Sequence, residues 1–355
     1  MAVEPLLGTR AQVAFISTIA VQALIVIAMV GTTFGIVHAQ LGDNFDQGGY
    51  KTLPCYLAMF ILAEIFELSM GYDALRSRNI IQLMGIIIFH GALIVFSALQ
   101  VHETKVALVP CDTTLIPACN GSPSYLWNKV EPFLIVAPCV ISGSWLVLMF
   151  YIRQLYGEFG WVIFHVVGAN PKLKSMYQYY QILICLLKFD FFCFVGVTMQ
   201  LLIVVLAASS AEFGVTIAAI PVVLLLLAGC KYAVQREIKW LMTCSLMLMV
   251  AAMSYFRKFI YKLVRFYEPS SEGQYVTTRA TLTVFTIVAF LLLFASFLVG
   301  IKCFYDFGKG LLDSKTHGIN NPQYLSSPKT PGAMAERQSS YFTGGAPLHP
   351  QISIE

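Results

Sequence analysis

Ionisable side chains stand inside apolar stretches of this sequence, where charge is costly: Glu64, Glu67, His90, Lys188 and Asp190. Carboxylates, an imidazole and an ammonium group can bind and release protons. Three carboxylates against one lysine is the pattern expected of a proton or cation path. The same set would also form a clamp of paired charges that fastens two helices together. The residue types therefore predict an intramembrane charged cluster, with a structural and a conductive interpretation both open.

The spacing of these residues restricts which of them can meet. Glu64 and Glu67 are three positions apart and share one face of a helix, so one could contact Lys188 while the other stays protonated. Lys188 and Asp190 lie about 200° apart on a helix and point to opposite faces, so each needs a partner elsewhere. A single histidine in an apolar stretch favours a hydrogen-bonded interior residue over a titrating switch, and we interpret His90 in this way.

Lys188 and Asp190 differ in what each requires from its surroundings. A lysine side chain is long enough to reach the lipid headgroups, so Lys188 does not demand a buried partner. An aspartate is too short, and an unpartnered one costs about 2.5–3.5 kcal/mol at the centre of a membrane helix. Asp190 should therefore be protonated or held by a donor. The candidate charge partners are Arg76 and Arg78.

The composition explains why such residues must be positioned by membrane helices. The chain has 355 residues, of which 57% are hydrophobic and 12% charged, whereas a soluble domain carries roughly 25% charged residues. The net charge of +4 gives no basis for a nucleic-acid partner. The nine cysteines include no Cys-x-x-Cys pair, and common catalytic fingerprints are absent. The sequence thus predicts a polytopic membrane protein in contact with the lipid bilayer, without enzymatic activity, cofactor or metal.

Apolar stretches of about 20 residues predict an all-α bundle of eight transmembrane helices within residues 1–305. The first is too long for a cleavable signal peptide and is expected to act as an uncleaved anchor. The second would leave the bilayer near Tyr72, which places Glu67 about 7–8 Å deep, with His90 near the middle. The predicted spans are about 11–37, 53–72, 80–100, 132–152, 181–207, 214–233, 238–257 and 281–303.

The distribution of lysine and arginine predicts the orientation of the bundle. With a cytosolic N-terminus, the cytosolic side carries Arg10, Arg76, Arg78, Arg153, Lys172, Lys174, Lys231, Arg236 and Lys239, against Lys51, Lys105 and Lys129 in the first lumenal loops. The loop after the seventh stretch disagrees, because it carries several basic residues on the lumenal side. We predict eight spans with both termini cytosolic, and a seven-span topology like that of receptors remains the alternative.

The loop between the third and fourth stretches carries features of a lumenal compartment. Cys111 and Cys119 are candidates for a disulfide, and Asn120 begins an N-glycosylation sequon. Both modifications belong to an oxidising, non-cytosolic environment. They agree with the predicted orientation.

Residues 306–355 are rich in proline, serine and glycine, which predicts a disordered cytosolic tail. Asn321 and Tyr324 form an Asn-Pro-x-Tyr motif of the kind that sorting adaptors bind. Ser327 and Thr330 each precede proline and resemble phosphorylation sites. The tail could recruit cytosolic adaptors, or it could be inert.

Longer stretches resemble a known family. FELSMGYDALRSRNIIQLMGI (66–86), FGWVIFHVVGANPKLKSMYQYYQILICLLKFDFFCFVG (159–196) and the segment 236–267 are similar to an uncharacterised family of fungal Golgi-apparatus multi-pass membrane proteins. The resemblance covers nearly all of the chain up to about residue 305. It implies a location in the Golgi membrane and implies no activity.

Three functions follow as hypotheses. The first is a structural or trafficking role in the Golgi membrane, with partners recruited by the tail and the cytosolic loops. The second is a proton- or ion-coupled transporter of small solutes that uses the intramembrane carboxylates. The third is a seven-span receptor. The sequence does not determine the oligomeric state.

Overall fold

The computed structural model describes residues 7–41, 52–109, 124–167, 171–205, 211–265 and 276–312, with side chains for most of them. Its described part is helical and contains no strand. A short π-helical segment, Leu201–Val205, continues the fifth helix. The helices are α1 (Arg10–Leu41), α2 (Thr52–Ser77), α3 (Ile80–Leu108), α4 (Tyr125–Val167), α5 (Pro171–Gln200), α6 (Ala211–Arg236), α7 (Lys239–Arg265) and α8 (Val276–Asp306).

Within the described residues, seven of the helices are long and apolar enough to cross a membrane, which confirms the predicted all-α membrane fold. The other helix, α7, has a shorter apolar segment in its described part, Lys239–Ser254. Many exposed side chains of the bundle are large and apolar, among them Leu24, Ile88 and Leu225. Such a surface suits contact with lipid acyl chains.

The helices extend beyond the apolar stretches read from the sequence, so the level of the charged residues is counted from the observed helix ends. Helix α2 ends at Ser77 and not near Tyr72. Glu67 therefore lies ten residues, or about 15 Å, from the end of its helix. His90 lies ten residues from Ile80, the first residue of α3. The two side chains are thus at the same level of the bundle, each ten residues from the end of its helix at the turn between α2 and α3.

The eight helices form two groups of four. In the first group each helix contacts the next, and α1 closes the group by packing against α4. The second group, α5 to α8, closes in the same way through α5 and α8. The groups meet mainly where α5 packs against α2 and α3. The first group thus brings four helices around one interior, and α5 covers one side of it.

Aromatic rings fill the contact between the two groups. The ring centroid of Phe66 lies 5.1 Å from that of Phe89 and 4.8 Å from that of Phe192. Phe189 lies 5.9 Å from Phe89. Phe66 and Phe89 directly precede Glu67 and His90 in the sequence. The aromatic cluster therefore packs beside these two polar residues.

The turn between α2 and α3 fixes how these helices face each other. Arg78 has a left-handed backbone with φ of 48°, and the Asn79 N–H donates to the Ala74 carbonyl over 3.1 Å. These two features define a Schellman C-cap. The Asn79 side chain then accepts from the N–H groups of Ile81 and Gln82 and caps α3. One short turn therefore ends α2 and begins α3, and the two helices run in opposite directions.

Gly85 lies where α3 meets α5, and its replacement by alanine is expected to weaken that contact. A Cβ atom there would approach the Cys185 sulfur and the Phe189 ring at 3.0 Å each. Overpacking of this kind destabilises by about 1–2 kcal/mol. Gly143→Ala is the matched control, since nothing lies within 4 Å of a Cβ at that helical position. Detergent unfolding should show Gly85→Ala less stable than Gly143→Ala, and equal stability would contradict the described packing.

Candidate functional site

Three ionisable residues meet in the interior of the first helix group. His90 Nδ1 on α3 lies 2.6 Å from Glu67 Oε1 on α2. Glu64 occupies the same face of α2, three residues earlier. All three side chains have 0% exposure. The tight turn between α2 and α3 places Glu67 and His90 opposite each other.

Two further polar side chains connect these residues to α1 and α4. The Gln22 amide on α1 donates to the Glu64 carboxylate, with Nε2 at 3.3 Å from Oε1 and 3.2 Å from Oε2. The Ser144 hydroxyl on α4 lies 2.6 Å from Gln22 Oε1 and 3.2 Å from His90 Nε2. These contacts link α1, α2, α3 and α4. We call Gln22, Glu64, Glu67, His90 and Ser144 the polar network.

The tautomer of His90 follows from its other neighbour. His90 Nε2 lies 2.9 Å from the carbonyl oxygen of Ile141. A carbonyl oxygen only accepts, so Nε2 carries a hydrogen and donates it. Nδ1 is therefore the nitrogen that meets Glu67. Both ring nitrogens of His90 thus have hydrogen-bond partners, as expected for a hydrogen-bonded interior residue.

Lys188 takes part in a different contact, near the turn between α2 and α3. Its ammonium group on α5 pairs with the Asp73 carboxylate on α2. It also donates to Gln82 Oε1 on α3 over 2.9 Å. The Lys188 side chain is only 19% exposed. Lys188 thus connects the two helix groups through hydrogen bonds within the bundle.

Asp190 forms a third contact, on the opposite side of α5. Its Oδ2 accepts a hydrogen bond from the Ser296 hydroxyl on α8. Its Oδ1 is buried and has no hydrogen-bond partner among the described residues. Asp190 is 7% exposed. One hydroxyl therefore satisfies only part of this carboxylate.

The structure thus separates residues that the sequence grouped into one charged cluster. Glu64, Glu67 and His90 come together, whereas Lys188 pairs with Asp73 and Asp190 with Ser296. The expected Lys188–glutamate contact is corrected, because the α2–α3 turn presents Asp73 and Gln82 to Lys188 instead.

The arginines proposed as partners of Asp190 lie elsewhere in the structure. Arg76 is exposed at the end of α2, and Arg78 forms the left-handed residue of the turn. Asp190 faces α8 and accepts from Ser296 there, so the arginine partnership is corrected.

Several predicted sites lie outside the described residues. These are the candidate disulfide of Cys111 and Cys119, the sequon at Asn120, and the tail residues Asn321, Tyr324, Ser327 and Thr330. Within the described chain, no group of three or more His, Cys, Asp or Glu side chains could hold a metal ion.

The fold and the interior contacts define a helical multi-pass membrane protein. The chain is 28% identical over 319 residues to a UPF0658 Golgi apparatus membrane protein of Schizosaccharomyces pombe, covering 85% of this chain and 89% of the relative. This similarity supports the resemblance to an uncharacterised family of fungal Golgi membrane proteins. No family model matches the chain. No solved structure matches it either.

Proposed function

We propose that this chain is a multi-pass protein of the Golgi membrane with a structural or trafficking role. The similar yeast protein is described as a Golgi apparatus membrane protein, which supports the location. The role is supported by how the intramembrane polar groups are used. They connect helices to one another within the bundle.

The observation that carries the structural interpretation is the enclosure of the polar network. Glu64, Glu67 and His90 have no exposed surface, and their hydrogen bonds reach α1 and α4. An aqueous path would leave at least one of its carboxylates in contact with water. A closed set of hydrogen bonds among four helices instead fixes their relative positions.

The proposed trafficking role depends on eight spans and on a tail in the cytosol. Helix α7 is 27 residues long, or about 40 Å, which is enough to cross the hydrocarbon layer. Eight crossings put both termini on one side. Protease protection of tags at the two ends is expected to give the same result for both. Opposite results would favour seven spans and the receptor alternative.

Removal of the tail tests recruitment without disturbing the bundle. A chain ending at Leu312 keeps every described helix and is expected to fold. It should leave the Golgi or fail to recruit its partners, because the adaptor motif is lost. Tyr324→Ala in the full chain should have the same effect, and Gln323→Ala, a neighbouring substitution, serves as its control. Unchanged location and partners in the truncated chain would overturn the tail-based role.

Asp190 favours ion-coupled transport as a second candidate. Its buried Oδ1 has no hydrogen-bond partner among the described residues, which leaves an oxygen able to receive a proton or cation. Transport predicts that Asp190→Asn abolishes a pH- or ion-dependent phenotype while the protein still reaches the Golgi. If the variant misfolds and stays in the endoplasmic reticulum, the result favours the structural role. Normal location with a normal phenotype would remove the transport candidate.

A further inference from the structure

The polar network requires a proton at one position. Because His90 Nε2 donates to the Ile141 carbonyl, only Nδ1 faces Glu67. Two lone pairs repel each other at 2.6 Å, so one proton must lie between Nδ1 and Glu67 Oε1. Either the carboxyl is protonated and the imidazole neutral, or the carboxylate faces an imidazolium. In both cases the pair has no net charge.

Glu64 then determines the charge of the network. Both of its oxygens lie within reach of one donor, the Gln22 amide. Within the described chain, the polar groups in contact with or close to Glu64 and His90 are each other, Glu67, Gln22, Ser144 and the Ile141 carbonyl. None of these is a lysine or an arginine. An ionised Glu64 would leave one uncompensated negative charge in the interior of the bundle.

A second feature points to the same conclusion from a different atom. Glu67 Oε2 is buried and has no hydrogen-bond partner among the described residues. The network therefore has more acceptor positions than donor hydrogens. Ser144 contributes one hydroxyl hydrogen, and its contact with Gln22 Oε1 can use it. An additional proton would add one donor hydrogen to the network.

We propose that Glu64, Glu67 and His90 form a proton-binding site within the first helix group, which holds one proton between Glu67 and His90 and takes up a second on Glu64. The second step forms an O–H bond on Glu64, with the proton delivered by hydronium. It removes the net negative charge, and one Gln22–Glu64 hydrogen bond can remain. This inference goes beyond the structural or trafficking role.

Proton uptake by the full chain in lipid nanodiscs tests the site. The carboxylic C=O stretch in the infrared, recorded during acidification, should gain a component typical of a buried acid. Glu64→Gln should lose that component and take up one proton fewer per chain. Glu158→Gln is the matched control, because Glu158 contacts Thr9 and Gln12 away from the network. It should keep the component, as should Asp190→Asn. Identical uptake and spectra in wild type and Glu64→Gln would overturn the proposal.

The shared proton gives an independent readout if Glu64→Gln does not fold. In chains labelled with ¹⁵N-histidine, the His90 signals are identified by their loss in His90→Gln. The wild type should show a proton resonance far downfield at Nδ1, and Glu67→Gln should lose it. A wild type without that resonance would overturn the site. These spectra are independent of cellular location, so their failure is distinguishable from failure of the trafficking role.

Discussion

His90→Leu is expected to lower the free energy of unfolding by about 3–5 kcal/mol, because removing one member of a buried pair leaves the other without compensation. Glu67 would lose its partner while keeping 0% exposure. The link from α3 to α4 through the Ile141 carbonyl would be lost at the same time. Unfolding in mixed detergent micelles, followed by circular dichroism, measures this change.

The matched variant removes both members of the pair. Glu67→Met combined with His90→Leu replaces the polar contact with side chains of similar volume, which is often far less costly than breaking the pair. The double variant should therefore be more stable than His90→Leu alone. If the loss in free energy of unfolding of the double variant equals the sum of the losses of the two single variants, Glu67 and His90 are not coupled. That result would contradict the described contact.

Ser296→Ala is expected to give the second largest loss, about 1–3 kcal/mol, because it leaves a buried carboxylate without its donor. Asp190 accepts from Ser296 through Oδ2, and its other oxygen already lacks a partner among the described residues. The loss should weaken the contact between α5 and α8, which is the closing contact of the second helix group. The same unfolding measurement applies.

Asp190→Leu together with Ser296→Ala provides the control for that prediction. The pair of changes removes acceptor and donor together, so no buried polar group is left unsatisfied. Its stability should lie close to that of the wild type and above that of Ser296→Ala. A double variant less stable than Ser296→Ala would show that Asp190 is held by something other than Ser296.

The helices could be predicted from sequence better than their ends. Long apolar stretches identify membrane helices because the bilayer requires internally bonded backbone. The ends depend on caps, and here the left-handed Arg78 and the cap by Asn79 extend α2 to Ser77 and begin α3 directly afterwards. Apolar stretches do not report such turns, so the predicted span of 53–72 does not indicate that the helix continues to Ser77.

The contact between Glu67 and His90 had a signal in the sequence. A turn at Arg78 and Asn79 leaves Glu67 as many residues before it as His90 lies after it. Because the two helices run in opposite directions from this turn, residues equally far from it in sequence lie at the same level of the bundle. Asp73 and Gln82 lie closer to the same turn, one on each side of it. They could have been predicted as partners for a residue at that end of the bundle.

The remaining partners could not be predicted. Ser144 lies 122 residues from Gln22, and Ser296 lies 106 residues from Asp190. Contacts over such separations depend on which helices pack together and on their rotation about their axes. Serine also occurs in membrane helices without such contacts, because its hydroxyl can bond to its own helix backbone, as Ser254 does to the Val250 carbonyl.

Double-mutant cycles on Lys188 test the central claim most directly, namely that the intramembrane charges are divided among separate contacts. The cycle of Lys188→Met with Asp73→Asn should give a coupling free energy of at least about 0.5 kcal/mol, as expected for residues in contact. The cycle of Lys188→Met with Glu67→Gln should give a value near zero, within about 0.3–0.5 kcal/mol. Strong coupling of Lys188 to Glu67, with none to Asp73, would restore the single charged cluster and contradict the separation.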